Sequence, residues 1–136
     1  MTTSTATVDI TAAGRFALGA GLDPAATGVA IEISDPTGGM LYRTSVPASA
    51  LRWNRARTMV RLVRKLLPAD VAPGLQRLRF QQSGRGVTAV LRVSAPELLV
   101  VRTLGRLSWA LNFGADQCVV DGDLVCGGSW VRTVCR

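Results

Sequence analysis

The sequence predicts an all-β fold, an antiparallel β-sandwich (Ig-like or jelly-roll-like) of about eight or nine short strands. Three observations predict it. Apolar residues alternate with polar ones over short runs, and turn residues rich in Gly and Pro separate those runs. The 136 residues are 48% hydrophobic and 18% charged, enough for one real core and too apolar for a disordered chain.

Residues 1–6 read as a small polar, flexible tail, and residues 7–136 as one domain. Thr7 to Thr11 alternates, and Ala13-Gly14 is expected to turn the chain into a second strand over Arg15–Leu18. Gly21 to Pro24 ends that segment. Val29, Ile31 and Ile33 then share one face, and Asp35-Pro36-Thr37-Gly38-Gly39 has the composition of a hairpin turn leading back through Leu41–Val46. Later, Leu78 and Phe80 alternate with Arg77 and Arg79 before a turn at Ser83–Gly86, and Val87, Ala89, Leu91 and Val93 continue on one face. The clearest buried face is Leu107, Trp109, Leu111 and Phe113. Cys118–Val120, Leu124–Cys126 and Trp130–Val134 complete the strands.

Residues 51–67 disagree with this pattern. Met59, Leu62, Val63, Leu66 and Leu67 fall at helical spacing among arginines, which alone would read as a basic amphipathic helix for an anionic membrane surface. The period-two reading puts Met59, Arg61 and Val63 on one face and Val60 and Leu62 on the other. Pro68 ends either element. A strand, with a possible short helix near 55–67, is the expectation in an all-β context.

The formal charge of +7 is concentrated. Residues 51–106 hold eleven Arg and Lys65 against Asp70 and Glu97, while the flanking stretches are weakly acidic. A basic stretch of this kind attracts polyanions, and Arg offers a planar fork suited to phosphate and carboxylate oxygens. The candidate polyanion site is Arg52, Trp53, Arg55, Arg57, Arg61 and Arg64, with Arg77 or Arg79 adding to it. Trp53, flanked by Arg52, Asn54 and Arg55, is the candidate for an exposed aromatic that stacks on a sugar or base.

Histidine is absent, and no Ser or Cys sits in a nucleophile elbow. No phosphate-binding glycine loop is present either. The expectation is therefore no enzyme and no cofactor. Asp116, Asp121 and Asp123 lie near one expected loop, but their spacing matches no calcium motif, so no metal is expected. No apolar run is long enough to cross a bilayer as a helix.

Cys118, Cys126 and Cys135 lack zinc or redox spacing. If Asp121-Gly122-Asp123 is a three-residue hairpin loop, Cys118 lies opposite Cys126 at disulfide distance. Cys126–Cys135 is the alternative pairing. A disulfide implies an oxidising compartment, so a secreted or cell-surface location is expected. No signal peptide is visible after Met1, and a chain beginning after a cleavage site would look the same.

The order of pieces also carries a resemblance. An alternating strand precedes GRFALGAGLDPAATGVAIEISDPTGGMLYRTSVPASAL, then ARTMVRLV, PGLQRLRF, GVTAVLRVSAPEL and LSWALNFGADQC. This resembles an uncharacterised β-sandwich module, often in tandem copies, of exported proteins from high-GC bacteria. The likeness covers residues 7–126 and rests on turn spacings. It implies fold and export, and brings no functional residues. Two functions are expected from the whole. One is a structural, self-assembly or attachment role at the cell surface, in which residues 2–10 add as a strand to the next copy. The alternative is binding of an anionic polymer (polysaccharide, lipopolysaccharide or nucleic acid) through the arginine-rich face. The expected partner is accordingly another copy of the chain or an anionic surface polymer.

Overall fold

A computed structural model describes residues 6–14, 23–83, 86–96, 98, 101, 105–113, 117–128 and 132–135. Among the described residues ten strands form: β1 (Ala6–Gly14), β2 (Val29–Ser34), β3 (Met40–Val46), β4 (Leu51–Trp53), β5 (Met59–Leu62), β6 (Leu75–Ser83), β7 (Gly86–Ala95), β8 (Arg106–Phe113), β9 (Gln117–Gly128) and β10 (Arg132–Cys135). One ladder connects them in the order β3-β2-β8-β9-β10-β1-β7-β6-β5-β4. Every pairing is antiparallel except β1 with β10.

The ladder makes the two layers of an all-β sandwich. β9 belongs to both layers. It pairs with β8 from Gln117 to Val125 and with β10 from Cys126 to Gly128. The two outermost strands, β3 and β4, are consecutive in the chain, joined through Pro47 and a 3-10 turn at Ala48–Ala50. The core lies between inward faces that follow the period-two pattern. Ile31, Ile33, Leu107 and Leu111 are fully buried on one layer, and Val8, Ile10, Phe80, Leu91 and Val93 on the other. Phe80 meets Phe113 edge-on across the gap, ring centroids 5.3 Å apart.

The Asp35 hairpin forms as its composition predicts. Asp35 Oδ1 accepts from the Thr37 hydroxyl at 2.7 Å, the Thr37 amide at 2.9 Å and the Gly39 amide at 2.9 Å. The Thr37 hydroxyl first, then the Gly39 amide, hold this carboxyl below its ordinary value. Gly38 supplies the left-handed backbone of the turn, with φ 97°.

Several expectations change. Ala13-Gly14 does not turn: β1 continues through Gly14, paired with Val87. The strand expected over residues 15–18 lies outside the described residues. Pro24–Thr27 is a one-turn helix, α1, capped by Asp23. An Asp-Pro pair is an N-cap followed by a first-turn proline, a signal that also reads as a turn. Residues 51–67 are two short strands and a 3-10 turn at Arg64–Leu66, with Val60 and Leu62 buried and Arg61 exposed. Tertiary burial of alternate residues outweighs the helical spacing there.

The largest correction concerns β9. No hairpin breaks it at Asp121-Gly122-Asp123, because β8 on one side satisfies the backbone through this stretch. Cys118 and Cys126 therefore sit eight positions apart on one strand, roughly 26 Å, beyond disulfide reach. Cys118 lies opposite Asn112, and Cys126 lies opposite Cys135. β1, expected to reach into a neighbouring copy, is an interior strand between β10 and β7, with Val8 and Ile10 fully buried. Residues 2–5 of that expected donor segment lie outside the described residues.

Candidate functional site

Strand register gathers arginines that the sequence keeps far apart. In β4, β5 and β6, Leu51, Val60, Leu62, Leu78 and Phe80 point to the core, so the residues between them face outward. Arg52 pairs directly with Arg61, and Arg61 directly with Arg79. Three guanidiniums thus stand in one row across three neighbouring strands, with strand spacings of about 4.8 Å. One pleat along β6, Arg77 pairs with Arg92.

Like charges directly opposite one another destabilise a sheet. At two other places in the sheet opposite charges face each other. Glu32 faces Arg43 in register, with an ion pair at 3.2 Å, and Asp9 faces Arg92, with Arg92 Nε 2.7 Å from Asp9 Oδ1. No ion pair with a described residue neutralises Arg52, Arg61, Arg77 or Arg79. Arg52 Nη1 donates to the Leu51 carbonyl at 3.1 Å, a bond that leaves its charge uncompensated. From residue 51 to residue 83 the chain has eight cations and a single acid, Asp70. The face is a concentration of positive charge held in place by the β-ladder.

The turn from β4 to β5 is ordered around Asn54. Its carbonyl oxygen accepts from the Thr58 amide at 2.8 Å and the Met59 amide at 3.1 Å, while its amide nitrogen donates to the Thr58 hydroxyl at 2.9 Å. Arg57 takes a left-handed backbone, φ 57°. Its guanidinium lies 4.5 Å from the centroid of the Trp53 ring.

Trp53 is not the free stacking platform its neighbours suggest. It pairs with Val60, on the core side of the sheet and opposite to the arginine row. Its indole Nε1 donates to Asp23 Oδ1 at 2.9 Å, and the same oxygen accepts from the Ala25 amide at the start of α1. Asp23 therefore ties α1 to β4. Trp53 with Arg57 over it is a structural clasp.

The six-residue site expected from sequence divides in three. Arg52 and Arg61 lie in the row, joined by Arg79 and Arg77. Trp53 and Arg57 form the clasp, with exposed Arg55 in the same turn. Arg64 belongs to the 3-10 turn after β5 and lines a hollow with Pro68 and Val71. The missing signal was register, which residue spacing alone does not contain.

The acidic loop suggested near residue 120 is strand instead, with Asp121 and Asp123 opposite Ala110 and Ser108. Asp116 lies outside the described residues. No helix among the described residues is long and apolar enough to cross a membrane. Comparison of the chain with known protein families, with curated proteins and with solved structures gives no match.

Proposed function

We propose that this is a non-enzymatic β-sandwich module that binds a linear anionic polymer across the outward face of β4, β5 and β6. The observation that carries the reading is the register row Arg52–Arg61–Arg79, which among the described residues lacks carboxylate partners of the kind that Arg43 and Arg92 have. A polymer lying over the row supplies the missing counter-charge, and each anionic group meets a planar donor fork. No aromatic stands among the described outward positions of these strands, which favours recognition of charge over recognition of bases. Attachment of an exported protein to an acidic surface polymer is the setting this reading favours. A bridge between Cys126 and Cys135, which are register partners of β9 and β10, fits the same compartment.

A self-assembly role has one observation in its favour: β3 is an outermost strand, with Met40 half-exposed at its start.

The test is binding of a fluorescent polyphosphate between about 50 and about 400 mM salt. Three to four contacts predict a log–log slope of about −2 to −4. The triple variant Arg52→Gln, Arg61→Gln, Arg79→Gln should lose most of the binding and most of the slope. Undiminished binding by a folded triple variant refutes the reading.

A further inference from the structure

A second site lies along the segment that joins β5 to β6, away from the arginine row. Three hollows follow one another there. The largest, about 690 Å³, opens between the end of β3 and the residues Leu66, Pro68 and Val71. The next, about 250 Å³, shares Pro68 and Val71 with the first and has Arg64 on its wall. A third, about 420 Å³, shares Pro73 and Gly74 with the second and ends at Met40. Tyr42 fixes this end by donating its hydroxyl to the Pro73 carbonyl at 2.8 Å.

Two facts give the groove a chemistry. Among the described residues the large hydrophobic side chains left exposed are Met40, at 50%, and Leu66, at 38%, and they stand at opposite ends of this run of hollows. A single exposed apolar residue means little, but each of these lines one of the two larger, mainly apolar hollows, and the smaller hollow between them, with Arg64 on its wall, is mainly polar. Arg64 and Lys65, exposed and without an ion pair to any described residue, immediately precede Leu66. A mainly apolar hollow at Leu66 that adjoins a polar one walled by Arg64 matches a ligand with an apolar tail and an anionic head.

We propose that the groove binds a single anionic amphiphile. Its acyl chain lies against Leu66, Pro68 and Val71, and its phosphate or carboxylate head is held by Arg64, with exposed Lys65 next in the chain adding positive charge. None of Arg52, Arg61 and Arg79 lines the groove. The proposal therefore stands apart from the polyanion reading, and the two fail independently.

The experiment is calorimetric titration of the full chain with butyl, hexyl, octyl and decyl phosphate below their micelle concentrations. Full burial of a methylene is worth about fourfold in affinity, and half burial, as in an open groove, about twofold. Decyl phosphate should therefore bind about sixtyfold more tightly than butyl phosphate. Leu66→Gln, a change at an exposed position, should flatten this dependence on chain length. Arg64→Gln with Lys65→Gln should weaken decyl phosphate about tenfold and keep the dependence. Affinity independent of chain length overturns the proposal, as does equal binding of decyltrimethylammonium.

Discussion

Replacing Arg61 by Gln should make the protein more stable and a weaker binder at once. Arg61 is the middle member of the row, with Arg52 opposite on one side and Arg79 on the other. A like-charge pair directly opposed in a sheet costs about 0.2–1 kcal/mol. Removing the central charge relieves both pairs, and Gln keeps much of the aliphatic stem that covers the sheet. Water and salt screen these exposed groups, so the expected gain is about 0.5–1 kcal/mol at low ionic strength. For a domain of this size that raises Tm by about 2–4 °C. The gain should shrink towards zero in about 1 M salt, where the Debye length is near 3 Å. Differential scanning calorimetry at low and high salt measures both. A drop in Tm at low salt, or a gain that salt leaves untouched, would refute the argument that the row is electrostatically strained.

Asp23→Ala removes the cap of α1 and leaves the Trp53 indole N–H without its acceptor, so chemical denaturation should show a loss of about 1–3 kcal/mol. Asp23→Asn keeps an acceptor oxygen and should lose less than about 1 kcal/mol. Asp35 has a lowered carboxyl value in the fold, so its contribution is present above the ordinary carboxylate range and is lost as pH falls through that lowered value. The Tm difference between the native protein and Asp35→Asn should accordingly narrow on acidification. Burial raises the Tyr42 hydroxyl, so its contribution holds below the ordinary tyrosine value and is lost as pH rises through the raised one. Tyr42→Phe should remove that alkaline loss, seen by ultraviolet titration alongside melting. Cys135→Ser should lower stability by about 2–3 kcal/mol under oxidising conditions and leave the reduced protein little changed. Non-reducing peptide mapping should then find Cys126 linked to Cys135, and a Cys118 bridge would contradict the register.

The sequence made most of the sandwich legible because burial on one face of a strand writes itself as alternation. Val29, Ile31 and Ile33 and the run Leu107–Phe113 lie in the core where period two puts them. The Asp35 turn was legible because its chemistry is local. β9 was not, since Asp-Gly-Asp has turn composition while β8 supplies a ladder partner from far along the chain. Residues 59–67 were ambiguous because the same leucines and valines satisfy both periods, and pairing of Met59–Arg61 with β6 set the first part as strand. The arginine face was legible as a basic stretch but not as a row. Arg61 and Arg79 are separated by a Pro- and Gly-bearing loop, and no local rule carries strand register across such a loop.

The central claim, that this row is where a polyanion binds, is tested most directly by following arginine Nε–Hε resonances by NMR while polyphosphate is added. Arg52, Arg61 and Arg79 should shift first and together, with Arg77 next. Arg43 and Arg92, already paired with carboxylates, should stay still. Shifts spread evenly over all arginines, or confined to Arg55 and Arg57 in the β4–β5 turn, would contradict the account.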